Sequence, residues 1–298
     1  MRAVQYSSYG GPDVLELGEA PEPHPGPGEV RIAVEAAAVN PMDTKLRSGM
    51  FASEPLSTPK IPGLDAAGVV DELGEGVTGV AVGDRVLGAG SATIAQYAVL
   101  PHYWPVPDGV SMAVAAGLPT VSETSGRILS LLPSHAGAML VIDGAAGGVG
   151  TVLVQLARHR GLHVIGTASP AKHDLLRRLG ATPTTYGPGL ADRVRALTEG
   201  VDGAADLAGK GSAAELIELT GDASRVVTIN DFSGATDAVI TSGPTKDSRQ
   251  TVPEVAQLVA SGELEFLVDS QLDWSEAARA YELSETGHTT GKIVLTIS

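Results

Sequence analysis

The chain has 298 residues, a length that allows two domains, and its 20 basic and 35 acidic side chains give a formal net charge of −15. This acidity disfavours nucleic acid and anionic membranes as partners, and the absence of cysteine excludes disulfides, thiolate metal sites and a cysteine nucleophile. Residues 1–30 lack a basic segment followed by an apolar core, and no apolar run is long enough to span a membrane, so we expect a cytoplasmic protein.

Residues 1–118 contain short segments in which apolar and polar residues alternate, a pattern that predicts β-strands. The predicted strands span residues 2–6, 14–17, 30–34, 68–70, 85–87 and 95–99. Turns rich in glycine and proline separate them, and a loop at residues 40–44 follows the third strand. Many short strands separated by turns are typical of a compact, barrel-like domain.

Residues 119–245 alternate between predicted strands and predicted helices. The strands are predicted at residues 139–142, 164–165, 182–186, 203–207 and 226–229. A helix up to residue 161 follows the first strand, and further helices are predicted at residues 171–179, 190–198 and 212–219. This alternation indicates a parallel sheet with helices on both faces, whose ligands bind at the carboxyl ends of the strands.

The sequence GAAGGVG at residues 144–150 lies between the first of these strands and its helix. Gly144, Gly147 and Gly150 allow a tight turn and a close approach of a pyrophosphate to bare backbone amides at a helix N-terminus. The spacing is GxxGxxG, whereas the commoner dinucleotide fingerprint is GxGxxG. The pattern predicts a dinucleotide site, and a tight turn without a ligand is the alternative.

The residues after the second strand of this region indicate which dinucleotide binds. An NAD site usually carries Asp or Glu there, bonded to the ribose 2′-hydroxyl. Here Ser169 and Lys172 occupy the place, and no carboxylate occurs before Asp174. A hydroxyl and a cation suit a 2′-phosphate, so we predict NADP(H). The alternative for Lys172 is a solvated helix charge.

Residues 246–298 contain helices predicted at 252–260 and 275–283 and strands predicted near 266–268 and at 292–296. The last helix and strand resemble a return to the first domain more than an extension of the parallel sheet.

The order of these pieces resembles the medium-chain dehydrogenase/reductase superfamily, and within it the zinc-free quinone oxidoreductases of the zeta-crystallin type. The stretches that carry the resemblance are MRAVQYSSYGGPDVLEL, PGPGEVRIAVEAAAVNPMDTKLRSG, IPGLDAAGVVDELGEGVTGVAVGDRV, GAAGGVG and GHTTGKIVLTIS. The family implies an α/β protein with two domains. These are a GroES-like β-barrel catalytic domain at 1–118, completed by 246–298, and a Rossmann domain with a doubly wound parallel sheet at 119–245. It also implies NADP(H), a homodimer and hydride transfer to a small-molecule electrophile, either a quinone or an α,β-unsaturated carbonyl.

The resemblance also implies which residues form the site. Asn40, Asp43 and Thr44 match the catalytic segment, and Asp43 could alternatively be a hydrogen-bonded residue that holds its loop. The Asn40 amide, the Thr44 hydroxyl or a ribose hydroxyl could stabilise negative charge on the substrate oxygen. The cofactor-binding residues that the family implies are Asn40, Thr124, Ala146, Gly147, Gly148, Val149, Ser169, Lys172, Tyr186, Asn230 and Asp231.

No metal site is expected. The zinc-containing relatives carry Cys at the position of Asn40 and His-Glu at the positions of Leu64 and Asp65, and a catalytic zinc needs three converging ligands. The seven histidines show no ligand-like spacing. A zinc-free alcohol or aldehyde reductase, and a non-catalytic NADP(H)-binding or sensing protein, are the rival functions.

Three features depart from the family pattern. Ser125 and Gly126 stand where a bulky aromatic residue usually follows Thr124, and Glu123 adds a charge beside them. An arginine common near the C-terminus is absent, and the region 231–250 is shorter than usual. Within that region, the run Thr236 to Ile240 could pair across a two-fold axis as an edge strand.

Overall fold

The computed structural model describes residues 1–231 and 236–298. Its strands are β1 (Arg2–Gln5), β2 (Glu16–Glu19), β3 (Val30–Val39), β4 (Asp65–Leu73), β5 (Arg85–Ala89), β6 (Tyr97–Leu100), β7 (His102–Pro105), β8 (Met139–Asp143), β9 (His163–Thr167), β10 (Thr182–Thr184), β11 (Gly203–Asp206), β12 (Val226–Thr228), β13 (Val239–Ile240), β14 (Val268–Asp273) and β15 (Lys292–Thr296). Its α-helices are α1 (Pro41–Ser48), α2 (Met112–Leu131), α3 (Gly148–His159), α4 (His173–Arg178), α5 (Leu190–Arg195), α6 (Ala213–Thr220), α7 (Lys246–Arg249), α8 (Thr251–Ala260) and α9 (Ala277–Glu285).

The chain forms two compact units. The first contains Met1–Thr120, Ala256–Ser261 and Leu267–Ser298, and the second contains Val121–Val255 and Gly262–Phe266. Among the described residues, no helix combines the length and the apolar character needed to cross a bilayer.

The first unit is built on a seven-stranded sheet. Its strand order is β14-β15-β3-β4-β5-β7, and β6 also pairs with β3. The pairing is antiparallel except between β14 and β15. Val30, Ile32 and Val34 occupy every second position of β3, and all three point into a core that also contains Trp274 and Tyr281. The C-terminal segment enters this sheet because β15 pairs with β3, with Ile293 opposite Val39.

Residues 41–48, where the sequence analysis expected a loop to begin, form helix α1. Asn40 is the N-cap, Pro41 is the first helical residue, and Gly49 ends the helix in the left-handed conformation with φ 82°. The carboxylate of Asp43 accepts the Asn40 backbone N–H at 2.8 Å, as half of a capping box. The expectation of a loop was therefore wrong, because proline and a capping pair at a strand end begin a helix here.

The second unit contains the parallel sheet that the alternating pattern predicts. Six strands lie in the order β10-β9-β8-β11-β12-β13, and every neighbouring pair is parallel. Leu140, Val141 and Ile142 in the central strand β8 are fully buried. The chain reverses its winding between β8 and β11, so the carboxyl ends of those strands are where this class of sheet binds ligands. The predicted α/β class and doubly wound sheet are confirmed.

The sequence pattern did not indicate α2, a helix of 20 residues that contains Pro119. Gly117 and Pro119 weaken the helical signal there, although buried apolar residues line much of the helix. Only Val239 and Ile240 of the proposed edge segment are in a strand, β13. Of the region 231–250, residues 232–235 lie outside the described part of the chain.

Candidate active site

The glycine-rich turn lies at the carboxyl end of β8 and leads into α3. Gly144 has φ +85°, which only glycine adopts without strain, and Gly147 is the N-cap of α3. A Cβ on Gly150 would lie 2.3 Å from the Gly144 carbonyl oxygen, so glycine is required there for the helix to pack on the turn. A Cβ on Gly147 would meet only that oxygen, at 3.5 Å. The open backbone at Gly147 is the surface that a pyrophosphate needs.

A buried hydrogen-bond network holds this turn. The carboxylate of Asp143, the last residue of β8, accepts bonds from the hydroxyls of Thr167 and Ser212, the latter at 2.7 Å. Thr167 also accepts the Gly144 N–H at 3.0 Å. The ends of β8 and β9 and the start of α6 are thereby tied to the turn. The sequence analysis assigned no role to these three side chains.

Ser169, Lys172 and Tyr186 lie at the same edge of the sheet. Ser169 and Lys172 follow β9, and Tyr186 follows its parallel neighbour β10. The Ala168 N–H donates to the Thr184 carbonyl at 3.0 Å, which keeps the two strand ends side by side. Tyr186 is 56% exposed, and Ser169 and Lys172 are half-buried. The structure therefore brings the three residues assigned to the 2′-phosphate into one neighbourhood, with no carboxylate at the end of β9.

Asn230 and Asp231 follow β12 at this edge. The Asn230 amide donates to the Ala208 carbonyl at 3.0 Å, and the Asp231 N–H donates to Thr228 at 3.2 Å. Asp206, at the end of β11, accepts the backbone N–H groups of residues 208 and 209 at 3.1 and 2.8 Å. Burial raises the pKa of Asp206. Asp206 thus shapes the loop beside Asn230, although the sequence gave no reason to select it.

Thr124 is buried within an ionic network. Its hydroxyl donates to Glu123 at 3.3 Å, and Glu123 pairs with Arg127 at 2.9 Å. Ser248 donates to Glu123 at 2.6 Å, and Arg127 donates to Thr241 at 2.9 Å. These bonds attach α2 to the segment that contains α7.

The small residue after Ser125 also has a structural reason. A Cβ on Gly126 would lie 2.0 Å from the Thr251 hydroxyl oxygen, because α8 packs directly on α2 there. An aromatic residue at position 126 would therefore displace α8. The departure from the family pattern at residues 123–126 is thus linked to the packing of α7 and α8.

In the first unit, Asn40 is the centre of a buried group that we call the Asn40 cluster: Asn40, Asp65, Thr120 and Lys292. Asn40 is 2% exposed, and its Nδ2 donates to Asp65 Oδ2 at 3.0 Å. Its Oδ1 accepts from Lys292 Nζ at 2.6 Å, and Lys292 also donates to the Val39 carbonyl at 2.9 Å. Thr120 donates to both oxygens of Asp65, at 2.7 Å from its hydroxyl and 3.3 Å from its backbone N–H.

Burial shifts the ionisation of this cluster. Desolvation lowers the pKa of Lys292, and the nearby carboxylates oppose that shift. Desolvation raises the pKa of Asp65, and the ammonium of Lys292 opposes it. The sequence analysis missed Asp65 and Lys292 as site residues; the available signal was a charged residue at the start of each of two apolar strands.

Asp43 and Thr44 lie on α1 beside the cluster. Burial raises the pKa of Asp43 from 3.8 to about 7, although its bond from the Asn40 N–H opposes the shift. Asp43 Oδ1 has no hydrogen-bond partner among the described residues. The Thr44 hydroxyl donates to the Pro41 carbonyl at 2.7 Å. The capping bond supports the structural role for Asp43 that the sequence analysis left open.

A second group of polar side chains surrounds Asp43. Arg47, one helical turn later, is buried and pairs with Glu285, and its guanidinium carbon lies 5.6 Å from the ring centre of Tyr281. Burial raises the pKa of Tyr281 well above 10.0, and burial also raises the pKa of Tyr6. A cavity of about 220 Å³ adjoins this group. It is lined by Tyr6, Tyr9, Asp43, Leu46, Phe51, Ala52, Lys60, Ile61, Pro62, Gly63, Leu64, Ser91 and Ala92.

No three histidine, aspartate or glutamate side chains converge into a metal-binding group in the part of the chain that the structure describes. The side chain at position 64 is leucine, and Asp65 is bonded to Asn40 and Thr120. Asp65 therefore takes part in hydrogen bonds at a position where the zinc-containing relatives carry a zinc ligand.

Comparison with known proteins gives consistent matches over nearly the whole chain. Residues 26–108 match the family described as the alcohol dehydrogenase GroES-like domain, and residues 179–295 match the family described as zinc-binding dehydrogenase. The chain is 32% identical to the chloroplastic NADPH-dependent alkenal/one oxidoreductase of Arabidopsis thaliana, over 99% of this chain and 79% of that protein. It is 31% identical to a quinone oxidoreductase of Pseudomonas aeruginosa, over 99% of both proteins. A solved mycobacterial protein complexed with NADPH superposes with a TM-score of 0.85 and 30% identity, over 99% of this chain and 100% of that one.

Proposed function

The chain belongs to the medium-chain dehydrogenase/reductase superfamily, in its zinc-free quinone oxidoreductase group, and from this premise we propose that it is an NADPH-dependent reductase of quinones or α,β-unsaturated carbonyls. The proposed reaction consumes the electrophile, NADPH and one proton, and it yields NADP⁺ with a hydroquinone or a saturated carbonyl. The reaction needs no metal ion in this proposal.

One observation carries the cofactor assignment. A glycine turn with open backbone at Gly147 precedes the N-terminus of α3, and the neighbouring strand β9 ends in Ser169 and Lys172 without a carboxylate. The helix N-terminus favours a pyrophosphate, and a hydroxyl with an ammonium favours a 2′-phosphate. These residues fit NADPH better than NADH. Two similar proteins, one named as NADPH-dependent and one solved in complex with NADPH, support the same choice.

In this mechanism the chain binds, orients and stabilises charge. When bound, the nicotinamide supplies the hydride. The amides of residues 146–149 hold the pyrophosphate, and Ser169, Lys172 and Tyr186 bind the 2′-phosphate. We assign Asn40 to the substrate oxygen, where a side-chain amide stabilises the negative charge that develops during transfer. The Thr44 hydroxyl already donates to the Pro41 carbonyl, so it is the weaker candidate. Solvent water supplies the proton that completes the product.

The test is a steady-state assay of NADPH oxidation against 1,4-benzoquinone, 9,10-phenanthrenequinone, a short 2-alkenal and a primary aldehyde. Each acceptor is repeated with NADH and with EDTA. Turnover of a quinone or enone by NADPH, unchanged by EDTA, supports the proposal. Turnover of the aldehyde alone indicates an alcohol or aldehyde reductase, and tight NADPH binding without any turnover indicates a sensing protein. Loss of activity in EDTA overturns metal independence.

We also propose a homodimer that forms along β13. This strand is the last in the order of the parallel sheet, and Ile240 within it is 43% exposed. Light scattering on the purified chain tests the proposal, with Ile240→Lys as a variant expected to dissociate the dimer. A monomeric wild type would refute it.

A cytoplasmic location stays a prediction of the sequence analysis.

A further inference from the structure

We propose that Lys292 and Asp65 are positioning residues, which hold the side-chain amide of Asn40 in a single orientation and strengthen it as a hydrogen-bond donor to the substrate oxygen. The inference rests on the proposed function, because it concerns the reaction assigned to this site. Neither residue is among the site residues that the sequence predicted.

The contacts of Asn40 allow only one orientation of its amide. Oδ1 faces the Lys292 ammonium at 2.6 Å, and Nδ2 faces the Asp65 carboxylate at 3.0 Å. Rotation of the amide by a half-turn would place an NH₂ group against an ammonium and a carbonyl against a carboxylate. Both new contacts would be repulsive, and both present contacts are charge-assisted hydrogen bonds. The orientation is therefore determined by two groups of opposite charge.

The same contacts change the donor strength of the amide. An ammonium on the carbonyl oxygen withdraws electron density through the conjugated amide, which makes both N–H groups more polar. One N–H is bonded to Asp65, and the Asp43 carboxylate also interacts with the amide side chain. We assign the N–H that is not bonded to Asp65 to the substrate oxygen.

The supporting side chains are themselves held in place. Thr120 donates twice to Asp65, and Lys292 donates to the Val39 carbonyl as well as to Asn40. The Asn40 backbone N–H is bonded to Asp43, which fixes the start of α1. Lys292 is 4% exposed and Asp65 is fully buried. A site whose supporting groups are locked in this way is preorganised, which is the property that lowers a reaction barrier.

A double-mutant cycle between Lys292→Met and Asn40→Ala tests the proposal. Removal of an oxyanion donor costs about 100-fold to 1,000-fold in kcat, so we expect the indirect effect of Lys292→Met to be a loss of about tenfold to 100-fold. The KM for NADPH should stay unchanged. In the Asn40→Ala background, Lys292→Met should cause no further loss. Lys246→Met, an exposed lysine of α7, is the matched control and should leave kcat unchanged.

A second readout needs neither cofactor nor turnover. The chain contains only two asparagines, Asn40 and Asn230, so selective ¹⁵N-asparagine labelling gives two side-chain amide pairs. Lys292→Met and Asp65→Asn should each shift the Asn40 pair and leave the Asn230 pair in place. Asp65→Asn adds a third pair, so a moved Asn40 pair is recognised there because only the Asn230 pair coincides with the wild-type spectrum. Lys292→Arg keeps the cation. It should therefore displace the Asn40 pair less than Lys292→Met does, and it should retain part of the wild-type kcat. If Lys292→Met does not fold, Lys292→Arg and Asp65→Asn carry the test.

The outcomes are distinct. Wild-type protein without turnover of any acceptor defeats the proposed function. Wild-type turnover combined with additive losses in the cycle, or with an Asn40 amide pair that the variants do not move, overturns the positioning role. Non-additive losses together with a shifted Asn40 pair support it, since a merely structural role would lower stability without coupling to Asn40.

Discussion

Two alanine substitutions in the glycine turn should separate cofactor binding from folding. Gly147→Ala is expected to weaken NADPH binding and leave the fold intact, because the new Cβ meets only one protein atom, at 3.5 Å. It would instead occupy the open backbone that a pyrophosphate approaches. Gly150→Ala is expected to destabilise the protein, because its Cβ would lie 2.3 Å from a carbonyl oxygen and 2.7 Å from two further backbone atoms.

The magnitudes follow from these distances. Alanine at an N-cap in place of glycine costs up to about 1 kcal/mol, which bounds the stability loss of Gly147→Ala. At Gly150, ordinary contact begins at 3.4 Å, so the backbone would move by roughly 1 Å. Overpacking of this kind costs about 1–3 kcal/mol, and rigid backbone on the opposite side places Gly150→Ala at the upper end of that range. Each 1 kcal/mol lowers the melting temperature by about 2–4 °C in a protein of 150–250 residues.

Two measurements on the same samples decide the matter. Thermal unfolding without ligand gives the stability of each variant, and the quenching of tryptophan fluorescence by added NADPH gives its Kd. We expect Kd to rise at least about tenfold in Gly147→Ala, which is a loss of about 1.4 kcal/mol. Unchanged NADPH affinity in Gly147→Ala would refute the assignment of this turn to the pyrophosphate. A melting temperature in Gly150→Ala equal to that of the wild type would refute the packing argument.

Three further predictions concern other parts of the molecule. Asp43 has a raised pKa of about 7, so its contribution to stability is complete below pH 3.8 and is lost as the pH rises to 7. Asp43→Asn should remove this pH dependence of the free energy of unfolding, which is on the order of 4 kcal/mol and is measured by urea titrations. Asp222→Asn is the contrasting variant. Bonds from Ser224 lower the pKa of Asp222, so this substitution should remove a loss of stability at acid pH. Lys172→Ala should raise the KM for NADPH about fivefold or more and leave the KM for NADH unchanged, because the half-buried ammonium of Lys172 is assigned to the 2′-phosphate that only NADPH carries. Equal effects on both cofactors would contradict the 2′-phosphate assignment. Gly126→Ala should lower the free energy of unfolding by about 1–3 kcal/mol, and Thr251→Ala in the same chain should recover part of that loss in chemical denaturation; no recovery would show that α8 does not cause the strain.

The sequence was informative where the physics is local. The strand, glycine turn and helix at residues 139–161 are contiguous, and each part depends on neighbours a few positions away. The absence of a carboxylate after β9 is likewise visible in five consecutive residues. These features were enough to predict the parallel sheet and the preference for NADP(H). The helix α1 was missed because its start depends on a single capping pair, Asn40 and Asp43, within a short polar segment.

The surroundings of Asn40 could be known only from the tertiary structure. Asn40 meets Asp65 across 25 positions and Lys292 across 252, and two strand registers bring them together. In one register Ala38 lies opposite Asp65, and in the other Ile293 lies opposite Val39. A shift of one residue in either pairing would turn the charged side chain to the opposite face of the sheet. Local pattern determined which residues form the glycine turn, whereas the registers of β3, β4 and β15 determined which buried charges surround the candidate catalytic amide.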